Sequence, residues 1–251
     1  MEKRTVPIRH SSFSTFIRGF EMDFIKNVWT LLSNEKYVGM LFEGLGTTLI
    51  ISVFAALLGL LIGTLVAMVG ISKGSGFMKV PKVICKVYVT IIRGTPMALQ
   101  LFIMAYAIFA IKGFPKEITA IVAFGVNSGA YVSENIRAGI LSVDIGQTEA
   151  GRALGLSGKT TMMKIVIPQA IKNVIPAIGN ELIALIKETS IVSMIGMYDL
   201  TQAAKVIGAG NNMASYIVPM TVAACFYLAI VYLLTFAIKK LEGKLRAGDK
   251  R

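Results

Sequence analysis

Six polar side chains sit inside stretches otherwise apolar enough to cross a bilayer. Asn127, Tyr131 and Glu134 fall at i, i+4 and i+7, which puts them on one helical face, with Arg137 three residues beyond. Ser128 adjoins that face. Glu181 stands in the next long apolar stretch, with Glu188 seven residues on and Lys187 beside it. A charge kept in hydrocarbon normally meets an opposite charge or a wet cavity, so these groups are candidates for contact with a polar solute. Glu134 and Arg137 are spaced to pair with each other. Arg93, Arg137 and Lys187 all remain open as partners for Glu181. Bond-making chemistry is poorly supplied: His10 is the sole histidine, read as a solvated residue near a polar N-terminus. No nucleophile is spaced with a base, and no metal-ligand cluster is visible. The expectation is a chain that passes a polar molecule, is not an enzyme, and holds neither metal nor cofactor.

The elements that must position these groups follow from composition. Of 251 residues, 55% are hydrophobic and 16% charged, and the mean hydropathy is +0.68. Soluble domains carry about 25% charged residues, so this is an all-α membrane protein, too short to hold a separate ATPase domain as well. Predominantly apolar runs predict five spans at about 47–71, 87–111, 117–140, 174–197 and 213–238. The formal charge of +12 reflects basic residues that flank these runs: four from Lys73 to Lys86, four from Arg152 to Lys172 and six from Lys239 to Arg251. That is a topology signal rather than a nucleic-acid footprint. It predicts a cytoplasmic C-terminus and, with five spans, an N-terminus outside.

Within the spans, Gly59 and Gly63 form a GxxxG pair that lets another helix approach closely. Pro96 cannot donate to the carbonyl of Ile92, so the second span must kink or restart there. Cys85 and Cys225 lie in or beside apolar runs and read as small buried residues. Residues 1–43 form an amphipathic N-terminal segment, with Phe24, Ile25, Val28, Leu31 and Leu32 at helical spacing. An interfacial helix is expected, a sixth span being the alternative. Residues 241–251 are a basic cytoplasmic tail, and Gly208 to Asn212 read as an exposed turn or the top of the last helix.

Between the third and fourth spans, the loop 141–172 holds a polar stretch from Glu149 to Pro168. Good helix formers run to Leu154, Gly155 is a stop suited to a left-handed residue, and Ser157 caps a second short helix that Pro168 ends. The prediction is a small helix-turn-helix knob outside the membrane. Ala153 to Thr160 also satisfies a relaxed phosphate-loop pattern. No strand precedes it, however, and no βαβ alternation follows, so a nucleotide site is rejected.

The spacing of this loop resembles the cytoplasmic EAA loop of ABC importer permeases. Glu149, Ala150, Gly155, Ile165 and Pro168 fall on that pattern, with Gly151 for its second Ala and Ile167 for its Leu. Arg93-Gly94-Thr95-Pro96, the segment Asn127 to Ile140, and Lys187-Glu188-Thr189-Ser190-Ile191 are similar to the matching parts of permeases for polar amino acids and opines. The resemblance implies the type I importer permease fold over residues 44–240, with about five transmembrane helices and a cytoplasmic coupling helix. It implies import of a polar amino acid by ATP-driven alternating access, with ATP and Mg on separate ATPase subunits. The other implied partners are an extracytoplasmic substrate-binding protein and a second permease chain, identical or homologous. Glu149, Ala150, Gly151, Arg152, Gly155, Ser157 and Lys159 would couple to the ATPase. Asn127, Ser128, Tyr131, Glu134, Arg137 and Glu181 would line the substrate pathway. The alternative is a stand-alone secondary transporter or channel for a small polar solute.

Overall fold

The structure, a computed structural model, describes residues 10–72, 76–210 and 216–247. The expectations for the side chain of His10 and for Asn211 and Asn212 lie outside the described residues. Ten α-helices follow one another with no strand among the described residues: α1 His10–Ser33, α2 Glu35–Ile71, α3 Lys79–Gly94, α4 Met97–Ile103, α5 Lys116–Leu141, α6 Ile145–Ala153, α7 Gly158–Thr161, α8 Ile167–Glu188, α9 Leu200–Gly210 and α10 Ile217–Arg246. Two π-turns, Met104–Ile108 and Met162–Val166, prolong α4 and α7, and a 3₁₀ segment, Thr189–Ile195, prolongs α8.

Helix α2 is the mast of the molecule. Asn34 starts it by accepting from the backbone N–H of Lys36 and Tyr37, which separates it from α1 by a single residue. At 37 residues it exceeds the roughly 20 needed to cross hydrocarbon, and the predicted boundary at residue 44 falls inside it. Its middle packs on α5 through glycines from both sides. A Cβ on Gly63 would lie 2.6 Å from Val132 Cγ1 and 2.8 Å from the Gly129 carbonyl oxygen, and one on Gly125 would lie 2.6 Å from Leu58 Cδ2. The expected GxxxG pair is therefore the α2–α5 contact surface, extended by two glycines on the facing helix.

Two apolar cores string along α2. One joins Ile51 and Ala55 to Leu101, Phe124, Leu185 and Val192, uniting α2, α4, α5 and α8. The other joins Leu41 to Leu31, Leu200, Ile207 and Val222, uniting α2 with α1, α9 and α10. Phe24, Val28 and Leu31 thus dock α1, while Met22, Ile25 and Trp29 stay exposed. Among the described residues, α2 and α10 alone are each long and apolar enough to cross a membrane, and the α3–α4 pair makes a third if counted as one. The polar side chains of α5 and α8 keep these two, 26 and 22 residues long, outside that group.

The break expected at Pro96 is present: α3 and α4 meet at 109° across Gly94–Pro96. Four local expectations need correction. Gly208 to Gly210 are the last residues of α9 rather than a turn. The fourth apolar stretch is entered as a helix at Ile167 and leaves α geometry after Glu188. Pro168 does not end the knob's second helix. The π-turn before it sends the Ile167 N–H to Met162, and this wider turn absorbs the missing donor so that the chain runs on into α8. Cys225 is exposed, and Cys85 half-buried, rather than both lying in the core.

Candidate functional site

The polar face of α5 does not form one continuous lining. Arg137 donates from Nε and Nη2 to both oxygens of Glu134, at 2.8 to 3.2 Å, closing the expected i, i+3 pair as a fork. Arg93 Nη1 approaches the same carboxylate at 3.6 Å, and its guanidinium lies 5.3 Å from the centre of the Tyr131 ring. Two of the three cations considered for Glu181 are thus spent on Glu134.

Asn127, one turn before Tyr131, is nearly fully buried and donates to Gln100 Oε1 at 3.0 Å. The Gln100 amide in turn donates to the Ile92 carbonyl at 2.8 Å and to Thr95 Oγ1 at 2.7 Å. The Ile92 carbonyl is the group that Pro96 leaves without a backbone donor. Gln100 replaces that bond from the far side of the corner, and Asn127 holds Gln100 in place. The 109° corner is therefore a built joint, fastened to α5.

Ser128 faces a different neighbour. It is fully buried, its hydroxyl has no well-formed hydrogen bond among the described residues, and the carboxylate of Glu181 on α8 is beside it. Glu181 is half-buried and has no cation in ion-pair distance among the described residues. Glu188 adds negative charge from the same face of α8, and Lys187 lies next to Glu188. The α5–α8 contact thus carries a carboxylate with no cation beside it and a buried hydroxyl next to that carboxylate, a place where an ammonium or an amide donor is favoured.

The knob forms as the spacing predicts. Asp144 caps α6 through the Gly146 N–H at 2.6 Å. Gly155 turns the chain at φ +79, and Ser157 caps α7 by accepting from the Thr160 N–H at 3.1 Å. Arg152 donates to the Leu156 carbonyl at 2.8 Å, across the turn. Gly151 is the buried member: a Cβ there would lie 2.8 Å from Thr161 Cγ2 and 3.0 Å from Ile165 Cδ1, so its small size sets how closely the two arms pack. Glu149, Ala150, Arg152, Gly155, Ser157 and Lys159 are all exposed, and Leu154 projects at 81% exposure from the tip. Bonds from Asn173 to Ser142 and from Gln169 to Gln147 tie the knob to the start of α8. A helix, not a strand, feeds Ala153, so the phosphate-loop geometry is absent there.

Three supporting residues escaped sequence reasoning. Gln100 carried no signal beyond being polar in an apolar run. Lys116 Nζ donates to the carbonyl of Ile195 at 2.9 Å, closing the 3₁₀ segment just before Gly196 at φ +71. Asp199 is fully buried and caps α9 through the N–H groups of Thr201 and Gln202, with Tyr227 OH at 3.4 Å. An Asp directly before an apolar helical run is an N-cap signal that was available for it.

Comparison with known proteins bears on all of these elements together. Residues 59–247 match the family described as binding-protein-dependent transport system inner membrane component. The arginine transport system permease protein ArtQ of Bacillus subtilis is 40% identical over 214 residues, covering 84% of this chain and 95% of that protein. The glutamine transport system permease protein GlnP of Escherichia coli is 35% identical over 212 residues, covering 83% and 94%. Among solved structures, an amino acid ABC transporter with histidines superposes with a TM-score of 0.78 at 36% identity, over 85% of this chain and 98% of its own. A match through α3, the corner, the polar face of α5, the knob and α8 leaves one assignment: the chain belongs to the inner membrane permease family of binding-protein-dependent ABC importers.

Proposed function

We propose that the chain is the permease subunit of an ATP-driven importer for a polar amino acid, working by alternating access. The observation that carries this reading is the knob, a rigid two-armed projection with an exposed leucine at its tip and polar ties to α8. A push on such a handle reaches α8 and Glu181 with little lost in bending. Separate ATPase subunits, carrying ATP and Mg, would grip it. A substrate-binding protein would deliver the solute from outside, and a second permease chain would complete the pathway wall. The knob and C-terminus would face the cytoplasm and the N-terminus the exterior, as the basic residues around the loops favour. Glutamine and arginine are what the two relatives' names give, which supports a polar amino acid.

On the pathway, we assign Glu181 and Ser128 the contact with the substrate's ammonium group. Asn127 positions the corner, Glu134 and Arg137 line a separate cleft with Arg93, and Tyr131 lies against the Arg93 guanidinium. The test is uptake of labelled glutamine and arginine into proteoliposomes. The reading requires transport only when the ATPase, the binding protein and ATP are all present, and its loss in Glu181→Gln with the subunits still co-purifying. Uptake by this chain alone would instead establish a secondary carrier or channel.

A further inference from the structure

The cleft set apart above has a charge balance of its own. It opens between the last turns of α2, the length of α3 and the C-terminal half of α5, with a volume of about 520 Å³. Lys82, Lys86, Arg93 and Arg137 line it against a single carboxylate, Glu134. Both arginines already engage that carboxylate. Lys82 rests on the carbonyl of Ser72, and neither lysine has an acidic partner among the described residues. Several cations around one acid repel one another unless an anion joins them.

The outer side of α3 specifies what kind of anion. The helix buries no residue. Val80, Val83, Ile84, Val87 and Ile91 form an apolar strip along it, each between 50% and 64% exposed. A basic pocket between membrane helices, opening beside an exposed apolar strip, suits a ligand with an oxyanion head and a hydrocarbon tail. A free phosphate or a soluble carboxylate would use the pocket and leave the strip bare. The end of α5 that bears Arg137 runs directly into the knob, so the cleft opens on the knob side of the molecule.

We propose that the cleft between α2, α3 and α5 holds the headgroup phosphate of an anionic phospholipid from the knob-side leaflet, received by Lys82 and Lys86, with an acyl chain along the apolar strip of α3. The site would make anionic lipid a structural component placed against the α3–α4 corner. It is independent of which solute the protein carries and of the roles assigned to Glu181 and Ser128.

The test uses the full chain in mild detergent, titrated with phosphatidylglycerol, phosphatidylcholine or inorganic phosphate and read by thermal shift and by native mass spectrometry. Phosphatidylglycerol is expected to raise the melting temperature and to remain bound, while the other two do neither. The Lys82→Gln/Lys86→Gln double variant should bind phosphatidylglycerol roughly thirtyfold more weakly, and Lys86→Gln alone about fivefold more weakly. The charge-matched pair Lys239→Gln/Lys240→Gln should bind as the parent does. Each shift is read against the variant's own lipid-free baseline, and the single variant decides if the double does not fold. The proposal is overturned if the cleft variants bind like the parent, if the tail pair loses as much, or if inorganic phosphate reproduces the shift.

Discussion

Gln100 shows how one side chain stands in for the backbone. Its amide supplies the donor that Pro96 denies to the Ile92 carbonyl, and its oxygen satisfies Asn127, so a single residue settles one buried and one half-buried polar group at a corner. Replacing it by Leu keeps the bulk and strands both partners. Gln100→Leu should therefore lower stability by about 1–3 kcal/mol in detergent unfolding, and an unchanged transition would mean that water takes its place. Glu134 is different in kind, because it separates two guanidinium groups that are each nearly half exposed. A double-mutant cycle of Glu134→Gln and Arg137→Gln should report a coupling of about 0.5–1 kcal/mol, the upper part of the range for exposed pairs because the fork is bidentate. A coupling near zero would mean that the two side chains act as independent surface charges.

Among the elements, the α2–α5 pair depends on small residues that let two backbones meet. Gly63→Leu drives a side chain into Val132 and the Gly129 carbonyl, whereas Gly46 on the same helix has nothing within 4 Å of an added Cβ. Gly63→Leu should cost about 1–3 kcal/mol or more, while Gly46→Leu should stay close to the parent in the same melting experiment. Equal effects at the two sites would refute close packing as the cause. A gentler version applies in the knob. Gly151→Ala already crowds Thr161, which is buried and held by its bond to the Ser157 carbonyl, and Gly151→Val crowds Thr161 and Ile165 further. Limited proteolysis is the readout: cleavage in the turn faster than the parent's for Ala and faster still for Val, with parent-like cleavage of both overturning the idea.

For the whole molecule, the decisive question is whether force enters at the knob. Leu154 contributes nothing to the internal packing, being 81% exposed, so a charge there should leave the fold untouched. Leu154→Asp is expected to keep the parent's melting temperature and lose most co-purification with the ATPase. Retained co-purification would move the contact elsewhere on the surface.

What the sequence determined by itself was most of what repeats along one helix or within one turn. The membrane class, the long helices, the caps at Ser157 and Gly155, the break at Pro96 and the pairing of Glu134 with Arg137 all depend on neighbours a few residues apart, where the 3.6-residue period dictates who meets whom. Tertiary structure alone decided which cation serves which acid, that Arg93 crosses to Glu134 and leaves Glu181 facing Ser128, that α4 turns back at 109°, and that Lys82 and Lys86 share a cleft with two arginines. The physical reason is that contacts between helices depend on the rotation and crossing of whole rods. Those are set by distant glycines and by side-chain bonds such as that from Asn127 to Gln100, 27 residues apart in the chain, which no local period records.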